Sequence, residues 1–184
     1  EAGLAAAWER GEKDLAGTTL NRLGELARLR GDDDEAAAMF EEGLALSREV
    51  QLKAEIPSFL KNLGHVARHR GDCDQARTLF AESLALQQEY GNKQGMAESL
   101  AGLASVAAQP ECAVRLFAAV EALLDAVGAP LSPADRADLE RNLAAVRAQL
   151  DQRAFAAAWT EGQALAADAS PAAWEQTIAC ALEA

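Results

Sequence analysis

Aromatic residues are scarce, 5% of the 184 positions, and runs of valine, isoleucine, threonine and tyrosine are missing. That excludes a sheet-based core. Positive charge is also short: 17 lysines and arginines face 29 acidic residues, a formal net charge of −12. Nucleic-acid affinity comes mainly from cations that neutralise phosphates, so the charge argues against nucleic-acid binding by this segment and disfavours docking on an anionic membrane. No apolar stretch approaches the roughly 20 residues a membrane span requires. Glu1 opens the chain and no basic region precedes an apolar one, so no signal peptide is expected. There are two histidines, no glycine-rich phosphate loop of the form GxxxxGK[ST], and no set of nucleophile, base and orienting group. The expectation is a binding protein with no cofactor, not an enzyme. Cysteine is rare too. Cys73, Cys112 and Cys180 are odd in number, far apart and without a CxxC pair, which predicts free thiols in a reducing, cytoplasmic compartment rather than a disulfide framework or zinc site.

Half the residues are apolar, enough for a buried core, and alanine, the best helix former, is abundant. Leu23-Gly24 followed by Gly31-Asp32, Ala36 and Phe40 returns 40 residues later as Leu63-Gly64, Gly71-Asp72, Ala76 and Phe80. A fixed period of this size is the signature of stacked helical units. Helices are expected over about 12–30, 33–50, 52–70 and 73–90, with Gly31 and Gly71 as stops and Asp32 and Asp72 as N-caps. Pro57 is expected to kink its helix or mark the true first turn. A third pair follows, with Leu103, Val106, Ala113 and Phe117 in the repeated positions and Ala104 in place of the glycine. The offset there falls to 37, and the Gly-Asp signal is lost at Gln109-Pro110.

Gly128-Ala129-Pro130 ends the repeat. Ser132-Pro133 and Ser170-Pro171 read as helix starts, with further helices to about Leu150 and over about 152–166. The organisation expected is a repeat region over 1–128 and capping helices over 129–184, because the last unit of an array must cover its apolar face. Gly3-Leu4 stands 40 residues before Gly43-Leu44. The chain is therefore expected to begin inside a repeat whose first helix is missing, with Leu4 and Trp8 able to drive dimerisation.

Leu-Gly, an alanine twelve residues on and a phenylalanine four later resembles the tetratricopeptide pattern. The small residues let two helices cross closely, and Phe40 is expected to fill the gap to the neighbouring unit. Two departures are Ala27 and Ala67 where an aromatic is usual, and a period of 40 rather than 34. The resemblance implies an all-α, right-handed α-solenoid of helical hairpins. Phe117-x3-Glu121, Gly128-Ala-Pro130, Leu139-Glu140-Arg141 and the run from Ala154 through Trp159 to Leu165 resemble the C-terminal part of bacterial signal-transduction ATPases and LuxR- or AfsR-like transcriptional regulators. A regulatory interaction module of such a protein is the function this implies. Its partner would be another protein, a peptide or a domain of the same chain. The alternatives are a small-molecule inducer sensor and a self-assembly scaffold.

The family pattern puts the concave, partner-binding positions at Asn21, Glu25 and Arg28, at Lys61, His65, Arg68 and His69, and at Ser105. The middle set is locally basic, which suits an acidic peptide or small anion. Alternatively, Arg28, Arg30, Arg68 and Arg70 simply offset the negative ends of their helices. His65 and His69, four apart, could share a metal with Glu25 as a third ligand, but two histidines alone are a weak signal and no metal is expected. Asp32-Asp33-Asp34-Glu35 lacks the alternating ligands and glycine of a calcium loop and reads as helix-capping charge.

Overall fold

The structure, a computed structural model, describes residues 13–49, 51–128, 131, 133–168 and 178–181. Among them the helices are α1 (Lys13–Arg30), α2 (Asp33–Glu49), α3 (Ile56–His69), α4 (Cys73–Glu89), α5 (Lys93–Ala104), α6 (Pro110–Val127), α7 (Pro133–Arg147) and α8 (Gln152–Asp168). Residues 178–181 are helical as well, and the described residues contain no strand. The all-α reading holds, as an α-solenoid of helical hairpins. The dimerising helix expected around Leu4 and Trp8 lies outside the described residues, as do Ser132 and Ser170-Pro171.

Turn chemistry sets the helix ends. Gly31 and Gly71 adopt φ of +81° and +82°, a left-handed conformation at the stops the sequence marks. The amide of Gln75 donates to Asp72 Oδ1 at 3.0 Å, and that of Gly95 to Asn92 Oδ1 at 3.1 Å. Pro57 does not kink a helix; it sits in the first turn of α3, where its missing N–H costs nothing. Residues 51–55 form the turn before it, with Gln51 at φ +59°.

The chain divides into two compact units, Glu1–Leu86 and Gln87–Ala184. In the first, α1 packs on α2 and α2 on α3. Phe40 and Phe80, fully buried, lie against Gly24 and Gly64 of their own hairpins; a Cβ there would stand 2.5 and 2.7 Å from the ring. The role expected of Phe40, filling the gap to the next hairpin, is shared with Phe59, whose ring seats on Gly43. Ala27, Ala36, Leu44, Phe59, Leu60 and Val66 complete one continuous cluster.

In the second unit α6 is the central element, contacting α5, α7 and α8. Nearly every residue from Cys112 to Val120 is buried. Gly162 lets α8 sit so close that a Cβ would strike the carbonyl oxygen of Arg115. The outer side carries a cation–π and ring stack: Arg147 lies 4.6 Å from the Phe155 centroid, and Phe155 stacks on Trp159 at 5.7 Å. The expectation of three free thiols is wrong. Cys112 and Cys180, 68 residues apart in sequence, form a disulfide, and only Cys73, exposed, is free. Cys112 is wholly buried in the first turn of α6, and the segment around Ala181 (also fully buried) comes back to it. Spacing carries no trace of that pairing, because the fold makes it.

Candidate partner-binding groove

A stripe one residue wide runs down α1 through Thr18, Asn21, Glu25 and Arg28, at helical spacings of three and four. A matching stripe runs down α3 through Glu55, Ser58, Asn62, His65 and Arg68. The two helices meet in register. Thr18 Oγ1 donates to Glu55 Oε1 at 3.3 Å, and Asn62 Nδ2 donates to Asn21 Oδ1 at 2.9 Å. Further along, Arg28 is near enough to His65 to act on its charge.

Of the expected residues, Arg28, Lys61, Arg68 and His69 lie near enough to His65 for their charges to act on it, and Asn21 joins the same stripe through Asn62. Glu25 is half-buried one turn from Arg28. Ser105 belongs to the second unit, at the C-cap of α5, and its hydroxyl donates to the carbonyl of Gly102 at 2.6 Å.

His65 is the centre of the basic end. Its ring meets the Phe80 ring edge-on, 5.0 Å between centroids, and its Nδ1 is buried with no hydrogen-bond partner among the described residues. Burial first, and then the charges of Arg28, Lys61, Arg68 and His69, hold its pKa well below the ordinary histidine value. His65 is therefore neutral at pH 7. His69 is instead exposed and turned to Asp33 of α2, with Nδ1 to Oδ1 at 3.4 Å. The two histidines point into different surroundings. No group of three or more His, Cys, Asp or Glu side chains among the described residues is placed to hold a metal.

The acidic run does more than cap α2. Asp33 and Asp34 reach the last turn of α3, where Arg70 donates both to Asp34 Oδ1 and to the backbone carbonyl of Asp33. His69 and Arg70 thus clasp the start of α2 rather than merely neutralising their own helix end.

Glu55 and its surroundings were missed. The carboxylate is half-buried and lies over Gly17, where a Cβ would stand 2.6 Å from Oε2; the buried hydroxyl of Ser47 is 3.5 Å from the same oxygen. Thr18, Asn21, Ala54, Glu55, Ser58 and Phe59 line a cleft of about 200 Å³. One signal was available: Gly17, inside a helix, costs about 1 kcal/mol relative to alanine and so calls for a reason.

Residues 17–50 and 55–124 match two family models, both described as the tetratricopeptide repeat. The first covers α1 with α2, and the second runs from the start of α3 into α6. No curated protein matches the chain.

Proposed function

The chain belongs to the tetratricopeptide-repeat family, and from that premise we propose that it is the regulatory interaction module of a larger bacterial signalling or transcriptional regulator, holding an extended segment of a partner, or of its own chain, along the α1–α3 stripe. Repeats of this family generally mediate protein–protein interaction. One observation carries the site: two helices 40 residues apart in sequence align polar stripes side by side, tied by the Asn62–Asn21 hydrogen bond. Buried polar side chains are costly to place, so a paired amide between two helix faces fixes that alignment. The cleft beside it, about 200 Å³, falls below the roughly 300–1,000 Å³ of small-molecule sites. That favours a peptide side chain over an inducer molecule. The regulator context rests on the residues of the tail, from Phe117 to Leu165, that resemble such proteins. The described helices contain none long and apolar enough to cross a membrane.

Panning a random ten-residue peptide library against the chain tests the site. The peptides recovered should be acidic, should lose binding when Lys61→Glu and Arg68→Glu are introduced together, and should keep it in Glu42→Lys, an exposed position on α2. Peptides indifferent to the double change would sink the proposal.

A further inference from the structure

The stripe carries charge at both ends, with Glu25 one turn from Arg28 at the more cationic one. Cationic side chains gather around His65 at the C-terminal end of α3, and an anionic one, Glu55, stands at its N-terminal end. Ten residues of helix separate them, about 15 Å.

Glu55 is an unusual carboxylate. It is half-buried, yet it has no ion-pair partner among the described residues; its bonds are two long ones from hydroxyls, Thr18 Oγ1 at 3.3 Å and Ser47 Oγ at 3.5 Å. A carboxylate offers about four lone-pair sites, so two remain. The other polar groups of the cleft are acceptor-rich. Asn21 presents its Oδ1 beside Asn62, and Thr18 has spent its only hydroxyl proton on Glu55. Ser58 adds a further hydroxyl, and Phe59 an apolar wall. A cleft with one unpaired anion, several acceptors and an aliphatic-friendly side wants a ligand with several donors, no acceptor and a short alkyl stem. The protonated primary amine is that chemistry. The chain also gives up helix propensity at Gly17 to let the carboxylate lie where it does.

We infer that the Glu55 cleft is a recognition site for a primary alkylammonium group, which Glu55 pairs while Thr18, Asn21 and Ser58 receive its remaining N–H donors. Resting on the groove proposed above, this adds a second determinant: a partner segment carries a positive group at the Glu55 end and negative charge at the His65 end, about 15 Å away, which an extended chain spans in four or five residues. The ammonium can come from a lysine side chain or from a chain N-terminus.

Titration of the full chain, followed by ¹H–¹⁵N spectra, decides the matter. Three probes serve: Nα-acetyl-lysine methylamide, its norleucine counterpart, and alanyl-alanine amide, whose α-amine is free. Either ammonium compound should move the backbone amides of Gly17 and Thr18 and the side-chain amides of Asn21 and Asn62 in a saturable way, and norleucine should not. A response to the lysine compound alone assigns the site to side chains; a response to alanyl-alanine amide alone assigns it to N-termini. Glu55→Gln should weaken binding about tenfold or more, since the anionic charge that pairs the ammonium is removed and one acceptor oxygen becomes a donor amide. Gly17→Ala should fold at least as stably, because only the far end of the Glu55 side chain must give way, yet should weaken binding by moving the carboxylate. The inference is overturned if norleucine acts as well as lysine, or if Glu55→Gln binds like the parent chain. Acidic peptides that still depend on Lys61 and Arg68 would then leave the groove standing without its ammonium site.

Discussion

In the first unit Phe40 and Phe80 close onto glycines, Gly24 and Gly64, whereas in the second the equally buried Phe117 belongs to a hairpin whose matching position is Ala104. A helix that carries a glycine lets a ring lie against its backbone, so each hairpin of the first unit closes with the same contact. At Ala104 the second unit does not repeat that device, and α5 is only 12 residues long against 18 for α1. Its cohesion comes from elsewhere. Helix α8 presses Gly162 onto the α6 backbone, and the Cys112–Cys180 bond ties the last described turn to the first turn of α6. One half of the chain repeats a local solution; the other relies on long-range ties.

Cutting the covalent tie should show this most strongly. Cys180→Ser opens a link between residues 68 apart, for which the chain-entropy account gives a loss of about 4 kcal/mol. Native-state hydrogen exchange should record the loss in α6 and leave α2 unchanged; an equal loss in both would erase the distinction between the units. A smaller effect is expected at the glycines. Gly64→Ala forces a Cβ into the Phe80 ring and should cost about 1–3 kcal/mol through overpacking, while Ala104→Gly should cost only about 1 kcal/mol of helix propensity. Urea unfolding of the two variants measures the difference, and equal midpoints would mean that the ring-on-glycine contact is not what holds the first unit. The smallest effect concerns acid. His65 is neutral in the folded chain with its pKa lowered, so the unfolded chain takes up the proton first. Its contribution is complete above about pH 6.5 and is lost as the pH falls below that value. His65→Gln should therefore flatten the decline in melting temperature between about pH 7 and pH 5, and an unchanged slope would remove His65 from the account of the basic end.

The fold was largely legible because its causes are local. Gly31 and Gly71 stop helices by a conformation that L side chains resist, and Asp72 caps the next one with its own carboxylate. Ala36 and Phe40 recur at spacings that only a helix turns to one side. The site was legible in part, for the same reason: Arg28, His65 and Arg68 lie on predictable faces. What escaped depends on contacts between distant segments. The position of Glu55 is set by the turn over residues 51–55, where Gln51 takes a positive φ, and no periodicity reports that. The joining of Asn21 to Asn62 needs the offset of one helix against another. Cys112 meets Cys180 only because the chain beyond α8 returns to α6.

Gly31 and Gly71 have one more consequence. A Cβ built on either would meet nothing within 4 Å, and their backbones hold φ near +80°. The obstacle to a side chain there is chirality alone, since the mirror-image backbone is strained only for L-residues. At these two exposed turns a D-amino acid would be the natural occupant. Each of the first two hairpins is thus punctuated, between its own two helices, by a point where the handedness of the backbone is reversed and which glycine takes without strain.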